Sequence, residues 1–169
     1  MNATQFVHQQ VAEAHSLNDA AMAGVTDEQF NWLPAGTINP IKSALLHAVG
    51  GEDIFFQSII QGRPPLWATG GWAGRIGLAQ APGGGQGWAE ANRTVLALAP
   101  VLAYAEAVRN ATDEYLARLA DDELDRQVSF FGSESSVADV LVRFVAHTAG
   151  HAGEIAAVKG MQGLQGLPF

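Results

Sequence analysis

The chain contains no cysteine among its 169 residues. Disulfides, a thiolate nucleophile of its own and a cysteine-based zinc site are therefore excluded. Basic residues are also few, with 9 Lys and Arg against 17 Asp and Glu, and the resulting net charge of −8 would repel a phosphate backbone. We therefore expect no nucleic acid among its partners.

Long apolar runs are missing as well. His8, Glu13, His15 and Asp19 interrupt the first twenty residues, and no later run approaches the length that spans a membrane. We therefore expect a cytoplasmic protein with neither a signal peptide nor a transmembrane helix. A hydrophobic content of 48% with 15% charged residues indicates a globular chain, which we predict to be a single domain over residues 1–169.

Helical periodicity dominates the sequence. Apolar residues recur at three- and four-residue steps in four long segments, which predict helices over the ranges Ala3 to Gly24, Asn39 to Gly62, Pro100 to Ala120, and Ser136 to about Gly160. The best candidate for a strand is QVSFF, Gln127 to Phe131.

Local signals mark the beginning of two of these helices. Asn39 followed by Pro40 is typical of an N-cap with proline at the first helical position. Ser136 with Asp139 three residues later resembles a capping box.

Four helices and little else predict an all-α four-helix bundle. About fifteen residues connect helices one and two, and a similar number connect helices three and four. Nearly forty residues separate helices two and three, far more than a usual helix-to-helix loop. A connection of that length can run along the whole bundle, which predicts parallel helices two and three and an up-down-down-up topology.

This long crossover is rich in glycine and contains Trp67, Trp72 and Trp88. Flexible linkers rarely contain three tryptophans, because their large aromatic surface favours burial. One interpretation is a loop that its tryptophans pin across the bundle. The other is a lid or wall of a substrate pocket, and one loop could serve both purposes.

Two histidines on the fourth helix, His147 and His151, lie about 40° apart around the helix axis and within its apolar stripe. Two buried imidazoles need partners for four ring nitrogens, so packing alone explains them poorly. One metal ion can accept a nitrogen from each ring. Because two ligands do not complete a site, a third must come from elsewhere.

His47 in the second helix is a candidate for that third ligand, and Gly50–Gly51 one turn later suggest that something needs room near the backbone. His8 and His15 flank the apolar stripe of helix one, so we predict solvated or partly buried surface histidines there. Glu154 allows three interpretations: a metal ligand, an acceptor for an imidazole N–H, or an exposed helix charge.

Two hydrolytic or redox motifs are absent. Thr148 stands where the zinc peptidases have the glutamate of HExxH, so peptide hydrolysis is not supported. The Glu-x-x-His pairs of di-iron bundles are missing too.

Several of these segments together resemble a known family. HAVGGEDIFF on helix two, the long crossover, HTAGHAGEI and the following KGMQGLQGLP are similar to the DinB-like (YfiT-type) superfamily. The resemblance spans nearly the whole chain. It also includes NWLPAGTINPIKSALLHAV, at the entry into helix two.

The resemblance implies an up-down-down-up bundle that often forms a homodimer. Its metal centre takes one histidine from the second helix and an HxxxH pair from the fourth, which correspond here to His47, His147 and His151. The family commonly has glutamine at the position of Glu154, which places Glu154 outside the ligand set. Zinc and nickel are the metals that the resemblance implies.

The resemblance also implies a function. Characterised relatives include enzymes that use mycothiol, bacillithiol or glutathione, among them S-transferases and maleylpyruvate isomerases. We therefore expect a metal-dependent transferase or isomerase that acts on a small molecule with a low-molecular-weight thiol. The reacting group would then be a metal-bound water or thiolate. We assign no side chain to the reaction. The alternative is a non-enzymatic metal-binding or stress-response bundle that functions as a dimer.

Overall fold

Helix dominates the computed structural model of the chain, which describes residues 1–82 and 85–168. Within these residues the α-helices are α1 Ala3–Met22, α2 Asp27–Asn31, α3 Ile41–Asp53, α4 Leu66–Thr69, α5 Trp72–Ile76, α6 Gly85–Arg93, α7 Leu98–Leu116 and α8 Val137–Met161. A π-helical segment, Ile54–Ile60, continues α3, and a short 3-10 helix, Asp121–Asp125, follows α7. The predicted helical class is confirmed. Positions 83–84 of the predicted crossover and position 169 of the predicted domain lie outside the described residues.

The four predicted helices correspond to α1, α3 with its π-helical continuation, α7 and α8. The capping box that begins α8 is confirmed, because Ser136 Oγ accepts from the Asp139 N–H at 3.1 Å and Asp139 Oδ2 accepts from the Ser136 N–H at 3.3 Å. α7 begins at Leu98 and not at Pro100. Proline is tolerated there because the N–H groups in the first turn of a helix have no hydrogen-bond partner within the helix, so the N–H that proline lacks is not missed.

The predicted N-cap of the second helix is wrong. α3 begins at Ile41 after Pro40, and no side chain caps it. The side chain of Asn39 instead contacts residues of α6 and α8, as described below.

The strand prediction is confirmed at β1, Gln127–Phe130, which pairs with β2, Ser133–Ser136, in an antiparallel hairpin. The sequence did not predict β2, because SESS has no apolar residue to alternate with its polar ones. Phe130 pairs with Ser133, so only Phe131 and Gly132 form the turn.

α8 packs against both α1 and α3, and α3 also packs against α7. Apolar side chains from these helices form two buried clusters. One includes Leu46, Tyr104 and Ile155, and the other includes Phe56 and Phe144. α3 and α8 therefore lie side by side, and side chains of both can meet. None of the helices in the described residues combines the length and the apolar character that spanning a bilayer requires.

A buried carboxylate anchors the first half of the crossover. Asp53 is 1% exposed; its Oδ1 accepts from the Leu66 N–H at 2.8 Å, and its Oδ2 accepts from the Trp67 N–H at 2.9 Å and from the Tyr104 hydroxyl at 2.8 Å. Burial, together with the nearby charge of Asp53, raises the pKa of Tyr104 far above its usual range, so this hydroxyl remains a donor. The segment that follows α3 is thereby fixed to α7.

The prediction of a surface position is wrong for His15. This residue is 7% exposed, and its Nε2 lies 3.0 Å from Oε1 of the buried Glu52, which also accepts from the Thr112 hydroxyl at 2.7 Å. The periodicity of α1 alone could not show that α3 places a carboxylate opposite His15. His8, in contrast, is exposed and contacts the Leu116 carbonyl at 2.8 Å.

Candidate metal centre

Two neighbouring helices bring three imidazoles together. His47 lies in the middle of α3, and His147 and His151 lie one turn apart on α8. The ring centroids are 5.0 Å apart for His47 and His147, 4.8 Å for His47 and His151, and 4.6 Å for His147 and His151. One nitrogen from each ring can be chosen so that all of them lie within 4.8 Å of one another. The cluster could therefore hold a metal ion.

The nitrogen atoms of these rings are suited to a metal ion. Within the described residues, Nδ1 of His47 and Nδ1 of His147 are buried and have no hydrogen-bond partner. Buried polar atoms without a partner are rare because each has lost its hydration. Nδ1 of His151 lies 2.8 Å from Glu154 Oε2, which leaves Nε2 of His151 as the nitrogen that can bind a metal. The donor set therefore fits a metal ion.

The cluster also favours neutral imidazoles. Burial, followed by the neighbouring His151 and His47, lowers the pKa of His147 to about 4. Burial and His151 likewise lower the pKa of His47, although Glu154 opposes this shift. A histidine must be neutral to offer a lone pair to a metal, so both rings are ready for ligation near neutral pH.

A chain of hydrogen bonds supports His151 from outside the cluster. Glu154 Oε1 accepts from Asn39 Nδ2 at 2.7 Å, and Asn39 Oδ1 accepts from Trp88 Nε1 at 3.0 Å. The Trp88 ring in turn lies edge-on to the His47 ring, with centroids 4.5 Å apart. Sequence reasoning missed Asn39 because a polar residue before a helix indicates a local cap, whereas its partner Glu154 is 115 residues away.

Gly51 gives the cluster its space. A Cβ atom at this position would lie 2.6 Å from Cε1 of His147, closer than any real contact allows. The expectation that a glycine of the second helix makes room near the backbone is therefore confirmed at Gly51, and what needs the room is the His147 ring.

The structure separates the three tryptophans of the crossover. Trp88, on α6, packs on His47 and is half-buried. Trp67 and Trp72 are buried in the hydrophobic core and pack on Tyr104, with centroids 5.5 and 5.3 Å from its ring.

Together the fold and the site define a mostly helical protein with three histidines that converge from two helices. Residues 10–155 match the DinB superfamily, and the chain therefore belongs to this superfamily. It is also similar to a conserved protein from Enterococcus faecalis whose crystal structure is known, with 18% sequence identity and a TM-score of 0.76. That similarity covers 94% of this chain and 96% of the other, and it shows the fold alone. No curated protein matches the chain.

Proposed function

We propose that His47, His147 and His151 bind one divalent metal ion, zinc or nickel, and that the chain uses it in a transferase or isomerase reaction with a low-molecular-weight thiol. The observation that carries the metal site is the convergence of three imidazoles, of which two, His47 and His147, have a buried Nδ1 without a hydrogen-bond partner among the described residues. Resemblance to thiol-dependent relatives supports the reaction class. The absence of cysteine means that the thiol must come from a second molecule.

A bound divalent ion would lower the pKa of a thiol that coordinates it and so favour the nucleophilic thiolate. The protein's own residues prepare the site for this chemistry. Glu154 accepts the Nδ1 proton of His151 and so fixes the tautomer with a free Nε2, while Asn39 holds Glu154 in place. A ligand set of three histidines leaves coordination positions open, as catalytic sites require.

We propose different roles for the three tryptophans at the substrate side. Trp88 would form a wall of the pocket directly, because it contacts His47 and is tied to Glu154 through Asn39. Trp67 and Trp72 would shape the pocket from a distance, since they hold the crossover on the core.

We further propose the up-down-down-up bundle for the four long helices. In this topology the first and fourth helices, α1 and α8, are parallel. Two observations indicate that they are. Near their beginnings, Phe6 and Leu141 line one groove. Near their ends, Lys159 Nζ donates to the Ala23 carbonyl at 3.0 Å.

The test of the enzymatic proposal is a thiol panel. Metal-loaded protein should consume mycothiol, bacillithiol or glutathione in the presence of a small electrophile, faster than the protein-free mixture does. A chelator should abolish the acceleration, and His47→Ala should reduce it without loss of helical circular dichroism, because the apolar faces remain intact. No turnover with any of the three thiols would favour the non-enzymatic alternative, and a folded, fully active His47→Ala protein would contradict the metal's role.

The dimer that belongs to that alternative, and equally to the enzymatic proposal, is supported by one surface feature. An apolar groove between α1 and α8 exposes Phe6 by 50% and Val142 by 69%, and such surface suits a partner better than water. We expect a homodimer in either case, as the family resemblance implies. Light scattering over a tenfold concentration range should give twice the chain mass of 17.8 kDa, and a monomer throughout would contradict the dimer.

A further inference from the structure

The turn of the β1–β2 hairpin has an unfavourable residue at an exposed position. Phe131 has φ +49° and Gly132 has φ +89°, which is the left-handed pair of a two-residue hairpin turn. Such turns favour Asn-Gly, and a bulky aromatic residue in this conformation is strained. Phe131 is nevertheless 73% exposed and gains little from burial. Its side chain therefore costs the fold stability, which suggests a contact outside the fold.

Aromatic rings connect this turn to the histidine cluster. The Phe131 ring centroid is 4.8 Å from that of Phe130 and 6.4 Å from that of Phe55. Phe55 is buried, and its ring centroid is 5.7 Å from that of His147. One ring thus separates the exposed tip of the hairpin from a proposed metal ligand.

An arginine completes the surface. Arg143 is exposed, and its guanidinium carbon lies 5.2 Å from the centroid of Phe130. It precedes His147 by four residues of α8, about 6 Å along the helix axis. Among the described residues no carboxylate forms an ion pair with Arg143. Asp139, one turn earlier on α8, accepts from the Ser136 N–H instead. A chain of net charge −8 therefore presents an uncompensated guanidinium beside its aromatic surface.

We propose that Phe130, Phe131 and Arg143 recognise the organic substrate of the histidine centre, and that this substrate is a small aromatic carboxylate. The proposal rests on the proposed function in so far as it calls the bound molecule a substrate. Binding of that molecule to this surface does not itself require the metal. Arginine matches a carboxylate with two parallel hydrogen bonds, and the phenylalanine rings offer an apolar face for a planar ring. The carboxylate of a molecule held in this way would lie about one turn from His147 along the axis of α8.

Phenylacetate and its neutral counterpart phenylacetamide test the charge requirement. We expect saturable chemical-shift changes with phenylacetate in both chelator-treated and metal-loaded protein, and at least about fivefold weaker binding of phenylacetamide. Arg143→Gln should weaken phenylacetate to the level of phenylacetamide and leave phenylacetamide itself unchanged. Absence of phenylacetate binding in the wild type, or equal binding in Arg143→Gln, would overturn the proposal.

Phe131→Asn tests the turn residue because its expected effects on phenylacetate binding and on stability have opposite signs. It should weaken phenylacetate binding and yet raise the unfolding temperature, because Asn-Gly suits this turn. Leu33→Gln removes another exposed apolar side chain, in the segment between α2 and α3, and should leave phenylacetate binding unchanged. Unchanged phenylacetate binding by Phe131→Asn would overturn the proposal, and a lower mass of that variant in light scattering would then assign the turn to a contact between copies.

The failure of the proposed function is distinguishable from the failure of this surface. A chain that binds no metal, but binds phenylacetate through Arg143 in its chelator-treated form, would refute the metal function and retain the surface. If the Arg143→Gln variant binds metal and also binds phenylacetate as the wild type does, the surface is refuted and the metal function is retained.

Discussion

His147→Ala should lose nearly all bound divalent metal, whereas the wild type purified without chelator should contain about one ion per chain. His147 lies 5.0 Å from His47 and 4.6 Å from His151, ring to ring, so its removal leaves two donors that cannot complete a three-ligand site. Elemental analysis of both proteins checks the expectation. Circular dichroism should show an unchanged helix content, because the substitution leaves the apolar stripe of α8 intact.

Two matched variants define what this loss means. His8→Ala removes an exposed histidine of α1 and should retain the full metal content. Glu154→Gln should retain most of it, because an amide oxygen can still accept from His151. Undiminished metal in His147→Ala would contradict the site. A loss in Glu154→Gln as large as that in His147→Ala would show instead that Glu154 is itself a ligand.

The helices that carry the site could be predicted because their signals are local. The three- and four-residue periodicity located α8, and the Ser136–Asp139 capping box located its first residue. The same periodicity put His147 and His151 on one face, and the structure brings them to 4.6 Å, ring to ring. Gly51 was also informative, because a glycine inside a helix has a cost that requires a reason.

What the sequence did not predict depends on contacts between distant segments. Asn39 had the right residue type and position for a cap, but its hydrogen bonds run to α6 and α8. His15 flanked the apolar stripe of its own helix, and only Glu52 on α3 explains its burial. Such pairings depend on how helices face one another, which the pattern of a single helix does not contain.

The crossover contains one feature that the sequence predicts and one that it does not. Its tryptophans indicated burial, and Trp67 and Trp72 are indeed buried. The carboxylate of Asp53, which fixes the backbone at Leu66 and Trp67, belongs to the preceding helix and had no signal of its own. Composition therefore predicted that the crossover packs, while the anchor that decides where it packs required the structure.

Gly51→Ala should weaken metal binding at least about tenfold, although alanine favours a helix by about 1 kcal/mol over glycine. The added Cβ would lie 2.6 Å from Cε1 of His147, so either the ring must turn or α3 and α8 must separate. Either change moves a nitrogen away from the other two rings. Competition with a chromophoric chelator measures the affinity, and the rise of the unfolding temperature on metal addition, which should shrink, gives an independent value.

Gly150→Ala is the matched control for this substitution, because Gly150 lies on α8 between His147 and His151 and a Cβ there meets nothing within 4 Å. It should raise the unfolding temperature of the metal-free protein and leave the metal affinity unchanged, as expected for an exposed helical position. If Gly51→Ala binds metal as tightly as Gly150→Ala does, the position of the His147 ring against α3 is not what the metal requires. A weaker affinity in Gly51→Ala alone, with helical content preserved in both variants, would show that the close approach of α3 and α8 places the third donor.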